Sequence, residues 1–293
     1  MHKAEKAKFW QPLDGEFVRC ELCPHFCKVA ESMVGSCSVR FNQEGELYSY
    51  GYGVISEMSL DPIEKKPLYH FESGNKILSI GGFGCNMDCQ FCQNYDISMA
   101  NVPTGRPLVT PKDILKLAVE YKVEQNIGVA YSYNEPLVGY EFVYDCSKLI
   151  FDAGLKNVLV TNGLINPKPL SVLLPLISAM NIDLKGFTQE YYDKLDGNLE
   201  TVKNTIVTAY KACHIEITVL VVPEENENDI EPIAKWLSEI DPDIPLHISR
   251  FFPRYKCSDK QPTSLELMDE AAAAAKKYLN RVYTGNMYKS RPE

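Results

Sequence analysis

Between residues 76 and 279 the chain alternates short, unbroken apolar runs with longer stretches whose apolar residues recur at helical spacing. The runs cover residues 77–80, 127–131, 158–161, 180–184, 215–222 and 246–249. Unbroken rather than alternating hydrophobicity is what strands need when helices cover both faces of a parallel sheet. Helices are predicted over 111–122, 140–153, 169–178, 188–195, 201–211 and 229–240, and over 265–279 after the last strand. Thr110 is placed to cap the first, with Pro111 at its opening position. Five consecutive alanines favour the last. The pattern is α/β with six βα units, too few for a closed eight-stranded barrel. An open partial barrel and a doubly wound sheet both fit it. In either, reactive groups gather at the carboxyl ends of the strands.

Residues 1–75 follow no such rhythm; they are turn-rich, hold four cysteines and show only short β-type patches such as Glu46 to Tyr50. Two units are therefore expected: a Cys-rich metal-binding segment with a linker at 1–75, and a barrel-like unit at 76–293. No apolar run approaches the roughly 20 residues of a membrane-spanning helix. Met1-His2-Lys3 leads into charge rather than into an apolar stretch, so a signal peptide is not expected. A cytoplasmic protein with no membrane partner follows. The net charge of −9 and the lack of a basic block argue against nucleic acid as the main partner.

Composition changes the picture at cysteine. There are ten, and seven fall in two tight groups. In a reducing compartment, clustered thiols read as metal ligands rather than disulfides. Cys85, Cys89 and Cys92 are spaced C-x3-C-x2-C directly after the first apolar run. Three thiolates on a four-iron cube leave one iron open to substrate. A zinc knuckle with a distant fourth ligand and three plain core cysteines are the bland alternatives. Cys20, Cys23, Cys27 and Cys37 give C-x2-C-x3-C-x9-C, enough to close a tetrahedral site; zinc, a second Fe–S cluster and free thiols all remain open, with His25 a bystander or a substitute ligand. At the other strand ends stand Asn134-Glu135-Pro136, Thr161-Asn162-Gly163 and Asp183-Leu184-Lys185. Their bland readings are strand-end turns and a structural Asp–Lys ion pair.

The cysteine loop, with Phe91 before its last cysteine, resembles the C-x3-C-x-aromatic-C signature of the radical S-adenosylmethionine (SAM) enzymes. The resemblance implies a partial (β/α)6 barrel and a [4Fe–4S] cluster on Cys85, Cys89 and Cys92 whose open iron is chelated by SAM. It further implies reductive cleavage of SAM to methionine and a 5′-deoxyadenosyl radical that abstracts hydrogen. Reduced flavodoxin or ferredoxin is the implied electron donor, and a protein is a possible substrate. Glu135-Pro136 matches the end of the family's Gly-Gly-Glu-Pro motif, implying contact with the SAM amino group; Tyr133-Asn134 replace the two glycines. Asp183-x-Lys185 and Thr161-Asn162-Gly163 resemble elements of glycyl-radical activating enzymes, implying SAM contacts for Asn134, Glu135, Thr161, Asn162, Asp183 and Lys185.

The stretch from Asp61 to Phe71 (DPIEKKPLYHF), Asn94 and Tyr283-Thr284-Gly285-Asn286 resemble more narrowly the radical SAM component of the AmmeMemoRadiSam system, a pyruvate formate-lyase activating enzyme-like branch. Its members commonly carry a further cysteine pair after the Gly-Asn element; none follows here before Glu293, so no C-terminal metal site is expected. Activation of a glycyl-radical enzyme is the most economical function. Modification of a small molecule or RNA, and a zinc-stabilised binding module without catalysis, are the alternatives. Cys146 and Cys213 are expected in the core, and His214 and His247 as satisfied core histidines. Arg250 could meet a substrate carboxylate, and Cys257 could donate hydrogen.

Overall fold

The computed structural model describes residues 4–287; Met1 to Lys3 and Glu293, on which two of the expectations above rest, lie outside them. Two small antiparallel sheets come first. One joins β1 (Glu5–Lys6), β6 (Glu46–Ser49) and β5 (Arg40–Gln43); the other joins β2 (Trp10–Pro12), β3 (Val18–Cys20) and β4 (Lys28–Val29).

The main sheet has eight strands. All six predicted runs are present: β8 (Lys76–Gly81), β9 (Asn126–Tyr131), β10 (Lys156–Thr161), β11 (Ala179–Asp183), β12 (His214–Val221) and β13 (Leu246–Arg250). Two edges complete it, β7 (Glu57–Pro62), antiparallel to β8, and β14 (Val282–Gly285), parallel to β13. Strand β7 falls inside the 1–75 span yet belongs to this sheet. The spatial order is the sequence order throughout. A doubly wound sheet reverses its order at a switch point. None occurs here, so the six units wind one way, as in a partial barrel.

The helices follow the predicted pattern: α2 (Pro111–Glu120), α3 (Tyr140–Asp152), α4 (Pro167–Leu173), α5 (Gln189–Lys194), α6 (Leu199–Tyr210), α7 (Ile230–Ile240) and α8 (Leu265–Ala275), preceded by a single unpredicted turn, α1 (Tyr95–Ser98). Thr110 caps α2 as expected, in a reciprocal box with Asp113.

The segment from Asp61 to Phe71 plugs the barrel with two apolar side chains while Pro62, Lys65, Tyr69 and His70 stay exposed. Ile63 and Leu68 are fully buried against Ile77, Ala130, Val158 and Ala179 from four successive strands. Each such side chain contributes about 1.5–3 kcal/mol by leaving water. Polar anchors fix its course: Asn181 donates to the Pro67 carbonyl at 2.9 Å, and the His70 N–H donates to Glu216 at 2.7 Å. The His70 ring then meets the Tyr283 hydroxyl at 2.6 Å. The chain thus runs inside from edge strand β7 to edge strand β14 and seals one end of the barrel. Among the described residues no helix is long and apolar enough to cross a membrane.

Candidate active site

The carboxyl ends of the strands surround a cavity of about 380 Å³. All nine residues predicted for the cluster and SAM line it: Cys85, Cys89, Cys92, Asn134, Glu135, Thr161, Asn162, Asp183 and Lys185. No other cysteine does so. Parallel strands place their carboxyl ends on one side, which brings these distant positions together.

Gly84 starts the cysteine loop at φ +82°, where a side chain would be strained. A Cβ there would also stand 2.3 Å from the Cys37 carbonyl oxygen, so the loop lies directly against the N-terminal segment. Asn134 braces the same turn, accepting from the Gly82 N–H and donating to the Gly84 carbonyl, both at 2.9 Å. Asn86, inside the cysteine loop, accepts from the Asn162 amide at 2.9 Å and donates to the Leu164 carbonyl at 2.8 Å. Asn162 also lies 3.7 Å from the Cys85 sulfur. Lys256 pairs with Asp88 at 3.0 Å, tying the chain after β13 to the loop.

Glu135 is the central buried acid, 4% exposed. It accepts from the Leu137 N–H at 3.0 Å, the Thr161 hydroxyl at 2.8 Å and the Asn162 N–H at 2.7 Å. Burial pushes its carboxyl up to about 7, although these donors pull the other way. A cation beside it restores the ionised form. Lys185 donates to Asp183 at 3.1 Å. Burial lowers the affinity of Lys185 for its proton, but the neighbouring Asp183 carboxylate outweighs it, so its ammonium is held charged. Burial pushes the Cys89 thiol up to about 12 and Cys85 well above its usual range. A metal that displaces those protons relieves that penalty.

A third polar group on the wall was not singled out from the sequence. Tyr133 stands at φ +72°, where the family motif has glycine. Its hydroxyl donates to Asp61 at 3.0 Å, and Lys66, 4% exposed, pairs with the same carboxylate at 2.9 Å. Burial would raise the Asp61 carboxyl, but Lys66 and Tyr133 hold it down at about 2. Lys65 and Lys66 both line the cavity.

Other candidates lie elsewhere. The four N-terminal cysteines gather in a separate small space. His214 and His247 both meet the buried Glu216 carboxylate, at 3.0 and 2.6 Å, as satisfied core histidines do. Arg250 donates to the Thr263 carbonyl at 2.6 Å. Cys257 is buried and does not line the cavity. Cys146 is fully buried, whereas Cys213 is only half-buried because it sits in the turn entering β12. Among the described residues no three His, Cys, Asp or Glu side chains come together as around a single metal ion.

The sequence profile of the Radical SAM superfamily matches residues 79–237, more than half of the chain. The chain belongs to the radical SAM superfamily. It is 39% identical to an uncharacterized protein of Methanocaldococcus jannaschii, over 96% of this chain and 85% of that one. It is 29% identical to the pyruvate formate-lyase 1-activating enzyme of Escherichia coli, over 50% of this chain and 61% of the relative. Among solved structures, methylornithine synthase superposes with a TM-score of 0.50 at 16% identity, covering 77% of each chain, and shares the fold.

Membership implies a [4Fe–4S] cluster and SAM, and the donor set fits both. Three thiols and no fourth cysteine meet at one cavity, as a cube with one open iron requires. The buried carboxylate Glu135 and the Asp183–Lys185 pair suit the ammonium and carboxylate of an amino acid. Asn86, Asp61, Lys66 and Tyr133 are the residues that motif reasoning passed over; only the run from Asp61 to Phe71 carried a signal, by its resemblance.

Proposed function

We propose that this radical SAM enzyme is of the activating type, abstracting hydrogen from a glycine of a protein partner in the cytoplasm. The observation that carries the reading is the meeting of Thr161 and Asn162 with Asp183 and Lys185, from the two activase-like elements, and the three thiols in one cavity. Similarity to the E. coli activating enzyme supports it.

In this reading Cys85, Cys89 and Cys92 hold the cluster. When bound, the cluster and SAM together supply a 5′-deoxyadenosyl radical after one-electron reduction, with reduced flavodoxin or ferredoxin as donor. The protein's own residues position and shield. Lys185, paired with Asp183, would neutralise the SAM carboxylate. Glu135 would balance the SAM ammonium and, through Thr161 and the Asn162 N–H, fixes the strand-end turn that touches Cys85. Asn134 holds the Gly82–Gly84 turn and so sets where the first thiol stands. The Cys-rich segment ends before β7, which together with the run from Asp61 to Phe71 belongs to the catalytic unit rather than to a linker.

The test supplies pyruvate formate-lyase carrying α-deuterated glycine to the reconstituted enzyme with SAM and dithionite. Deuterium in 5′-deoxyadenosine, with a glycyl radical signal in electron paramagnetic resonance, is the expected result. Product without deuterium would overturn the activase reading for this partner and leave radical SAM chemistry standing.

A further inference from the structure

The four N-terminal cysteines form a site that SAM chemistry does not use. Cys20, Cys23, Cys27 and Cys37 line one small space together with Arg40 and Asn86. Residues flanking two separate antiparallel sheets converge there, since Cys20 ends β3, Cys27 precedes β4 and Cys37 lies shortly before β5. The Cys27 sulfur lies 3.3 Å from the Ser36 hydroxyl, which lines the same space.

A second, independent observation points to an anionic occupant. Arg40 is 1% exposed. Its terminal nitrogens are spent on the Glu141 carboxylate, at 3.2 Å each, and on the Lys8 carbonyl at 2.5 Å. Its Nε has no partner. A buried charged donor is left in this state only at a cost, and the side chains with acceptor atoms lining the same space are the cysteines, Ser36 and Asn86.

We propose that Cys20, Cys23, Cys27 and Cys37 bind one zinc ion as four thiolates, with the Arg40 Nε–H donating to the resulting centre. Binding releases four thiol protons to solvent and leaves a dianionic tetrathiolate; no electron is transferred. Four thiols close a tetrahedral shell around one ion and leave no open position for a substrate. Among the described residues no three of these sulfurs converge on a single point, so binding turns them inward. The site backs directly onto the catalytic loop. Asn86 lines it and also bonds Asn162, while the Cys37 carbonyl presses on Gly84. The ion therefore clamps the N-terminal segment against the loop that starts at Cys85.

The test uses the full chain with Cys85, Cys89 and Cys92 all changed to alanine, purified without oxygen so that no catalytic cluster forms. Metal analysis should find about one zinc per chain with neither iron nor sulfide. Cobalt put in its place should show the intense visible bands of a tetrahedral tetrathiolate. About four irons with sulfide, or folded protein holding no metal, would overturn the proposal. Changing Arg40 and Glu141 together to glutamine removes the paired charges at once; chelator competition should then show zinc held about 10–100-fold more weakly. Unchanged affinity would remove Arg40 from the site.

Discussion

Replacing Glu216 tests how the barrel is sealed beneath its chemistry. The residue is fully buried on β12, two positions before Thr218 of the cavity wall. One carboxylate oxygen takes the His70 N–H and the His214 ring, and the other takes the His247 ring at 2.6 Å. Glu216→Ala leaves the buried His247 ring without its partner and turns the half-buried His214 ring and the His70 N–H toward water. Breaking such a network costs about 3–5 kcal/mol. Glu216→Gln keeps the shape, and a change of His247 tautomer restores one contact, so the loss falls to about 1–3 kcal/mol. Burial would raise the Glu216 carboxyl, but the two histidines and the His70 N–H hold it down at about 2, against 4.5 ordinarily. A depressed carboxyl contributes stability above its unfolded value, and that contribution is lost as pH falls through the folded value. At about 1.36 kcal/mol per unit, the ionised group is worth about 3 kcal/mol at pH 7 and roughly half that at pH 3. Urea unfolding of the metal-free chain at both pH values reads this directly. A gap between wild type and Glu216→Gln that does not shrink on acidification would refute the reasoning.

Three further substitutions probe the cavity wall and loop. Gly84→Ala places a Cβ against the Cys37 carbonyl at φ +82°; iron bound per chain should fall by half or more, and full occupancy would show that the loop does not need that close approach. Lys66→Ala strips Asp61 of its nearest cation, so stability at pH 7 should drop by about 3–5 kcal/mol as for other broken buried pairs, measured by denaturation against Lys65→Ala, whose exposed pair should cost under about 1 kcal/mol. Asn162→Ala loses the bridge from β10 to Asn86 and Cys85; SAM cleavage should slow while cluster content holds, and an unchanged rate would make that bridge incidental.

The six buried strands were legible because each is a continuous apolar run, and their sequential order then decided between barrel and doubly wound sheet. The edge strands were not. β7 reads Glu-Met-Ser-Leu-Asp-Pro, as long as its neighbours but too polar for an unbroken apolar run, and β14 reads Val-Tyr-Thr-Gly, too short to show a period. Cysteine spacing exposed both thiol groups, since few other roles require thiols so close in sequence. Asn86, Asp61 and Tyr133 stayed hidden because their roles arise from partners 76, 72 and 72 residues away, and an asparagine or tyrosine alone carries no spacing rule. Glu135 was found, but its three internal hydrogen bonds were not; from sequence it looked free for SAM, while in the fold it also holds the turn at Thr161–Asn162.

The central claim is that Cys85, Cys89 and Cys92 carry a cluster that cleaves SAM. Its most direct measurement is 5′-deoxyadenosine formed from SAM and dithionite by anaerobically reconstituted enzyme, beside Cys89→Ala prepared identically. The account predicts product from the first and none from the second; product from both, or from neither when the wild type holds its full iron and sulfide, would contradict it.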